Sequence, residues 1–412
     1  MIDKEKKYFR SGLGLRKEIG EVITAEFSAE VIEFLKNNDY KIKIDRLEFS
    51  LAREFGFCYG VERAVNYSYQ IFKKFPEKRV FITGEVIHNP QVNQKLLDMG
   101  VRFLSGPNQG ENKREDIGSE DVIVLPAFGV PVKELDFYRE TGCTIVDTTC
   151  GSVIVVWKNV EKYAQQGYTA VVHGKWHHEE TRATCSQTGK YEGGHFLVLL
   201  NLKEAEEVRE YIRGNRTKQE FLDHFKDAVS PGFDPDIHLQ KIGIANQTTM
   251  LMTETAELST FLKEIYKEKF GAENINDHFM AMDTICSATQ ERQDALNMLV
   301  DEANADLFVV VGGFNSSNTV NLANIARSSE RPAYHIRGPE DILSPEEITC
   351  LPGLKRDVIV RKNWLPEGEI KIGITAGAST PNSVVGKTIE AIVEAAGLSE
   401  GLSSLLGKEK SK

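Results

Sequence analysis

The chain carries six cysteines: Cys58, Cys143, Cys150, Cys185, Cys286 and Cys350. Three of them share a setting. The strand-like run from Leu47-Glu48-Phe49 to Phe55-Gly56-Phe57 leads into Cys58, and a helical pattern follows at 61–72. Cys143-Thr144-Ile145-Val146-Asp147 reads as a strand reaching Cys150, with a helix expected at 153–163. Met282-Asp283-Thr284-Ile285 precedes Cys286, and 291–299 reads as a helix. A thiol between a strand and a helix meets unpaired backbone N–H groups and the positive end of the helix dipole, which favour thiolate. The same N–H groups can hydrogen-bond to the sulfurs of an iron–sulfur cluster. The three cysteines lie 92 and 136 positions apart, a spacing suited to one per domain. Three ligands from three domains would leave one iron open for chemistry. The rival reading is plain burial, because free cysteine is often buried and no Cys-x-x-Cys pattern occurs. Cys143, Cys185 and Cys350 lack the shared setting and are assigned structural roles.

Several polar motifs follow strand-like runs and suit an anion. Gly84-Glu85-Val86-Ile87-His88-Asn89-Pro90 closes on His88, with a helix starting at Asn89-Pro90. His173-Gly174-Lys175-Trp176-His177-His178-Glu179-Glu180-Thr181 concentrates imidazoles, a lysine and carboxylates, so a zinc site is a fair rival there. It is not His-Glu-x-x-His, so no metalloprotease is indicated. Gly312-Gly313-Phe314-Asn315-Ser316-Ser317-Asn318-Thr319 leads into a helix at 320–326, where small hydroxyls and N–H groups suit phosphate oxygens. It lacks the Gly-Lys-Ser/Thr of a P-loop, and a simple N-cap cluster is the plainer alternative. Asn246-Gln247-Thr248-Thr249 and Thr375-Ala376-Gly377-Ala378-Ser379-Thr380 repeat the design.

The elements that must position these groups are short apolar strands alternating with helices. They include Arg79-Val80-Phe81-Ile82-Thr83, Asp121-Val122-Ile123-Val124-Leu125, Tyr168-Thr169-Ala170-Val171-Val172, Lys241-Ile242-Gly243-Ile244-Ala245, Leu307-Phe308-Val309-Val310-Val311 and Ile370-Lys371-Ile372-Gly373-Ile374-Thr375. Such alternation predicts an α/β fold with open, mostly parallel sheets that bind ligands beyond the strands' carboxyl ends. The expected division is an N-terminal extension at 1–46, three similar α/β lobes at 47–149, 150–285 and 286–400, and a frayed tail at 401–412. The stretch 187–236 yields only helix-like charged runs and a loop at Ser230-Pro231-Gly232.

With 412 residues and 41% hydrophobic content, the chain can build several cores. Its formal charge of −11 argues against a nucleic-acid binder. No apolar run approaches the roughly 18–20 residues of a membrane span. The start, Met1-Ile2-Asp3-Lys4-Glu5-Lys6-Lys7, resembles neither a signal nor a transit peptide, so a cytoplasmic setting is expected.

Taken in order, these stretches resemble the LytB/IspH reductases from about residue 50 to 395. The residues that carry the resemblance are Gly56-Phe57-Cys58-Tyr59-Gly60-Val61, Glu85-Val86-Ile87-His88-Asn89, Asp147-Thr148-Thr149-Cys150, His178-Glu179-Glu180, Gln247-Thr248-Thr249, Ile285-Cys286-Ser287-Ala288-Thr289 with Arg292-Gln293, Asn315-Ser316-Ser317-Asn318 and Thr375-Ala376-Gly377-Ala378-Ser379. The resemblance implies three lobes around one 4Fe-4S cluster, with Cys58, Cys150 and Cys286 as ligands and one open iron. It implies that His88, His178, Ser316, Ser317, Asn318 and Ser379 hold a diphosphate, and that Thr248 and Glu180 orient the substrate hydroxyl, with Glu180 delivering the proton. The implied reaction is reductive dehydroxylation of (E)-4-hydroxy-3-methylbut-2-enyl diphosphate to isopentenyl and dimethylallyl diphosphate, the last step of the methylerythritol phosphate pathway. Ferredoxin or flavodoxin would supply electrons. Where many bacterial members carry Ala-His-Gly-Val, this chain has Ala127-Phe128-Gly129-Val130, so Phe128 is given no diphosphate contact, and nearby Lys175 is the candidate substitute. With the extension, this points to the plant and cyanobacterial branch. The non-reductase readings are a zinc hydrolase and an iron–sulfur carrier or redox sensor.

Overall fold

The computed structural model describes residues 7–409 apart from 283, 285 and 354–356. The chain divides into two compact units. The first takes the chain through Gly12, Phe75–Val86 and Met99–Cys286; the second takes Leu13–Lys74, Ile87–Asp98 and the chain from Ser287.

The first unit holds two parallel sheets. In one, the strands run in the order Tyr8–Phe9, Thr144–Asp147, Val122–Leu125, Val80–Ile82, Arg102–Phe103. In the other, the order is Phe279–Ala281, Ile242–Asn246, Thr169–His173, Phe196–Leu199. Strands such as Val122–Leu125 and Thr169–His173 are buried along their whole length, because helices cover both faces. That is why they read as unbroken apolar runs rather than alternating ones. The helix Gly151–Gln165 lies close on the second sheet because Gly243 makes room: a Cβ there would come within 2.5 Å of the Tyr163 ring. The Tyr163 hydroxyl donates to the Ile244 carbonyl at 2.8 Å. Around it pack Val171, Leu197, Leu258 and Tyr266, each worth about 1.5–3 kcal/mol when fully buried.

The second unit holds the third sheet, ordered Ala333–Ile336, Leu307–Val311, Ile370–Ala376, Leu47–Leu51, Lys41–Ile44. Only the last pairing is antiparallel. A two-stranded antiparallel ribbon, Glu347–Cys350 with Ile359–Lys362, accompanies it. Phe49, Trp364, Ile372 and Ile389 centre one core of this unit, and Leu296, Phe308 and Leu322 another.

The predicted strands at Val80, Val122, Thr169, Ile242, Leu307 and Ile370 are all present. So are the helices after the three cysteines, at Tyr59–Lys74, Gly151–Gln165 and Ser287–Glu302. The strand expected just before Cys286 partly lies outside the described residues; the strand there is Phe279–Ala281.

Sheet membership departs from the expected lobes. Leu47–Leu51, expected to open the first lobe, pairs in parallel with Ile370–Ala376 and so belongs to the third sheet. Residues 7–46 are no appendage. Tyr8–Phe9 adds an edge strand to the first sheet, while Arg16–Phe27, Glu30–Asn37 and Lys41–Ile44 build the second unit, with Val31, Ile32 and Leu35 fully buried. The expected frayed tail is instead a helix, Ser399–Glu409, with Leu402 buried against the core of the second unit. The stretch 187–236 contains an unpredicted edge strand, Phe196–Leu199, and the helices Leu202–Ile212 and Lys218–His224. Thr217 and Glu220 form a reciprocal capping box at the start of the latter. Among the described residues, no helix is long and apolar enough to cross a membrane.

Candidate active site

In the first unit, Cys150 sits at the N-cap of the helix Gly151–Gln165, at the end of a stiffened turn. The Asp147 carboxylate accepts from the Thr149 N–H at 2.9 Å and from the Thr149 hydroxyl at 2.5 Å. Thr148 ties the same turn to the Leu125 carbonyl through both its N–H and its hydroxyl. The Cys150 N–H donates to the Ala127 carbonyl at 2.8 Å. Burial pushes the Cys150 thiol up; the N–H of Ser152 at the helix start draws it back, and neighbouring Cys286 raises it again. Cys286 is anchored two residues earlier, where the Thr284 hydroxyl donates to the Asn246 side-chain carbonyl. Asn246 in turn donates to the Gln247 carbonyl at 3.1 Å.

The same unit brings His178, Glu180 and Thr248 together. The helix Glu179–Ser186 begins with His178 as N-cap, its Nδ1 accepting from the Glu180 N–H at 3.1 Å. Glu180 is 3% exposed. Its carboxylate accepts from the Thr248 N–H at 2.5 Å and from the Thr248 hydroxyl at 3.0 Å. Gln247 holds the opposite side of this corner: its side-chain oxygen accepts from the Lys175 N–H and the Thr181 hydroxyl, and its amide donates to Thr249. Phe128 lies edge-on to His178, ring centroids 6.3 Å apart. It is followed by Gly129 at φ +77°, where a Cβ would strike Trp157 at 2.3 Å, so the turn needs glycine.

His173 does not join this group. Its Nδ1 lies 2.7 Å from the Thr255 hydroxyl and its Nε2 3.2 Å from the Leu200 carbonyl. Burial lowers its pKa to about 4. Both ring nitrogens are engaged, which removes it from any zinc ligand set drawn from the His173–Thr181 motif.

In the second unit, Cys58 immediately precedes the helix Tyr59–Lys74. Its N–H donates to the Ala378 carbonyl at 3.2 Å, and its carbonyl accepts from Glu62 at 2.9 Å. Gly56, at φ +69°, shapes the turn before it; a Cβ there would meet the Asn382 side chain at 2.9 Å and the Thr380 carbonyl at 3.1 Å. Ala378 also donates its N–H to the Asn318 side-chain oxygen at 2.9 Å. Asn318 thus belongs to the same knot as the cysteine. Ser316 caps the helix Ser317–Ser328, accepting from the Thr319 N–H. The Ser379 hydroxyl donates to the His88 carbonyl at 3.0 Å, and Asn315 Nδ2 lies 3.5 Å from His88 Nδ1. Ser316, Ser317, Asn318 and Ser379 are all buried. Asn318 Nδ2 is a buried donor with no hydrogen-bond partner among the described residues. Behind this cradle, His335 Nε2 donates to the Gly312 carbonyl at 3.0 Å, and burial lowers the ring's pKa to about 4.

The predicted residues therefore form two groups: Cys150, Cys286, His178, Glu180 and Thr248 in the first unit, and Cys58, His88, Ser316, Ser317, Asn318 and Ser379 in the second. Cys143, Cys185 and Cys350 are buried, whereas Cys58, Cys150 and Cys286 are partly exposed. Burial raises Cys143 to about 11, and raises Cys185 and Cys350 as well. Sequence reasoning passed over Asn246, Asn315 and His335 as functional supports. Asn246 and Asn315 stood inside recognised motifs, but His335 had no local signal.

The protein family described as LytB protein matches residues 49–393. The chain is 46% identical over 391 residues to the 4-hydroxy-3-methylbut-2-enyl diphosphate reductase of Picosynechococcus sp., covering 95% of each chain. It is 43% identical over 400 residues to the enzyme of that name from Gloeobacter violaceus, covering 96% of this chain and 94% of the relative. Among solved structures, it resembles (E)-4-hydroxy-3-methyl-but-2-enyl diphosphate reductase, described as the terminal enzyme of the non-mevalonate pathway. That match has a TM-score of 0.53 and 26% identity, over 84% of this chain and 99% of the other. The E-1-hydroxy-2-methyl-but-2-enyl-4-diphosphate reductase from Plasmodium falciparum shares the fold, with a TM-score of 0.61 at 22% identity, over 84% and 87% of the two chains.

Proposed function

The chain belongs to the LytB family, and on that premise we propose that it reduces (E)-4-hydroxy-3-methylbut-2-enyl diphosphate to isopentenyl and dimethylallyl diphosphate. The reaction is the last step of the methylerythritol phosphate pathway. The single observation that carries this reading is the buried Glu180–Thr248 pair beside His178: a carboxyl and a hydroxyl bonded to each other, on the turns where an alcohol substrate would be met.

The family implies an iron–sulfur cofactor. The finer reading is one 4Fe-4S cluster held by Cys58, Cys150 and Cys286. The donor set fits: each of the three cysteines directly precedes a helix and is partly exposed, while the other three are buried. When bound, the cluster would supply electrons and an open iron acting as a Lewis acid toward the substrate oxygen.

The remaining work falls to side chains. Ser316, Ser317, Asn318 and Ser379, with His88 and His178, hold the diphosphate. The orphan amide of Asn318 is a donor in search of an oxygen acceptor, and the helix start at Ser317 adds backbone N–H groups. Thr248 turns its hydroxyl between the Glu180 carboxyl and the substrate alcohol. Glu180, protonated, gives its proton to the departing oxygen, which leaves as water; two electrons and a second proton, added at either end of the allyl unit, complete the two products. Asp147 stiffens the turn before Cys150, and Asn246 holds Thr284, two residues before Cys286. Ferredoxin or flavodoxin is the proposed electron donor.

The test is anaerobic purification, absorption and iron analysis, then addition of the substrate with a chemical reductant. A brown protein that releases both isomers of the product is expected. A brown protein without turnover would replace this reading with a carrier or sensor. A colourless, zinc-containing protein that resists cluster reconstitution would overturn it.

A further inference from the structure

Arg292 is only 3% exposed. It lies on the helix Ser287–Glu302, and its guanidinium donates to neutral carbonyls. Nε donates to the Gly56 carbonyl at 3.1 Å, Nη2 to Gly56 at 2.9 Å and to Phe57 at 3.1 Å, and Nη1 to Ala288 at 2.7 Å. Gly56 and Phe57 are the two residues before Cys58. No carboxylate among the described residues forms an ion pair with it, although the surface arginines Arg79, Arg213, Arg216 and Arg337 each have one.

Carbonyl dipoles satisfy N–H groups, but they do not cancel a charge. Burying a cation without a counter-charge is strongly unfavourable. Arginine cannot escape by losing its proton, as a buried lysine can. A buried arginine with only neutral partners therefore calls for an anion that the described residues do not provide. The nearest chemistry that supplies one is at Cys58: a thiolate ligand and the sulfide-rich cluster it would hold.

We infer that Arg292 is the counter-charge of the Cys58 side of the iron–sulfur centre and raises its reduction potential. This rests on the proposed reading that Cys58 is a cluster ligand. Reduction adds one electron, hence one negative charge, to the cluster, and a fixed cation in a low-dielectric setting favours that form. The same contacts make Arg292 a positioning residue, because they hold the Gly56–Phe57 turn that aims Cys58. The two roles differ in their demands: a staple needs the forked geometry, whereas a counter-charge needs only the positive sign.

That difference sets the experiment. The wild type and the variants R292K, R292Q and R292M are reconstituted anaerobically. Fold is followed by circular dichroism and thermal melting, iron by analysis, and the midpoint potential by a redox titration monitored by electron paramagnetic resonance. The expected result is that R292K keeps the cluster near the wild-type potential. R292Q and R292M should be folded but either hold it at a more negative potential or fail to hold it. A wild-type potential in R292Q or R292M overturns the inference. So does equal loss of cluster or of folding in R292K and R292Q, which would leave Arg292 a structural staple. A wild type that takes up no cluster would instead strike at the proposed function.

Discussion

The corner around Glu180 and the cradle around Asn318 are built alike but bonded differently. Both are buried, both carry hydroxyls, and both follow a parallel strand. In the corner, an acid and its neighbours bond to one another: Glu180 to Thr248, Gln247 to Lys175, Thr181 and Thr249. In the cradle, Ser316, Ser317, Asn318 and Ser379 are neutral, none is an acid, and the Asn318 amide is left over. The difference teaches a division of labour. A carboxylate among phosphate ligands would repel the substrate; of the proposed anion ligands only His178 shares a turn with the proposed proton donor, and the neutral cradle residues stand on other turns.

Breaking the corner has the largest expected effect. E180Q keeps the size and most hydrogen bonds of the side chain but cannot donate an acid proton. Turnover with a chemical reductant should fall by about 10²–10⁴-fold, with cluster content and substrate affinity retained. Near-normal rates in that variant would remove Glu180 from the chemistry. Breaking the cradle should act on binding instead. In N318A the KM should rise, with affinity lost by about 1–3 kcal/mol and kcat less affected. Steady-state kinetics separate the two, and an unchanged KM would mean the orphan amide serves something other than diphosphate.

The histidines behind the two regions sharpen the comparison through pH. His173 backs the corner and His335 the cradle, and burial holds both near pKa 4, below the ordinary 6.5. The unfolded chain therefore binds protons more readily than the folded one between about pH 6.5 and 4. Stability present above pH 6.5 is lost as the pH falls through that window, by on the order of 3 kcal/mol per ring at most. Urea unfolding at pH 7 and pH 4.5 would measure it. In H335Q that acid loss should shrink by no more than the one ring's share; an unaltered loss would show that other groups cause it. The smallest effect is expected from C143S. Cys143 is buried outside both regions and its thiol donates to the Tyr138 carbonyl, so the cluster's visible absorption should persist.

The division between corner and cradle was largely legible in the sequence, because each motif is local. Strands buried on both faces announce themselves as apolar runs, and the polar residues at their ends follow directly, as at Gln247-Thr248 after Ile242–Asn246. Partnership between distant segments was not legible. Leu47–Leu51 reads as a strand, yet nothing in it names Ile370–Ala376 as its neighbour. Phe196–Leu199 was missed because four apolar residues between charged helices give too short a pattern to separate from a loop. The terminal helix Ser399–Glu409 has weak periodicity, and Leu402, with Leu405 and Leu406 beside it, docks it on the core. Arg292 could be seen as part of a motif, but a buried charge is invisible until burial is known.

The pairing of Leu47–Leu51 with Ile370–Ala376 also bears on how the protein is made. Arg46, just before that strand, donates to the Pro366 carbonyl 320 positions away. On a ribosome adding about 10 residues per second, the strand waits roughly half a minute for its parallel partner. Meanwhile Leu47, Phe49 and Leu51 lack the sheet that buries them. Joining such remote segments closes a long loop and slows folding. The nascent chain thus presents a sticky early segment for most of its synthesis, and a holding chaperone acting there should increase the yield of assembled protein.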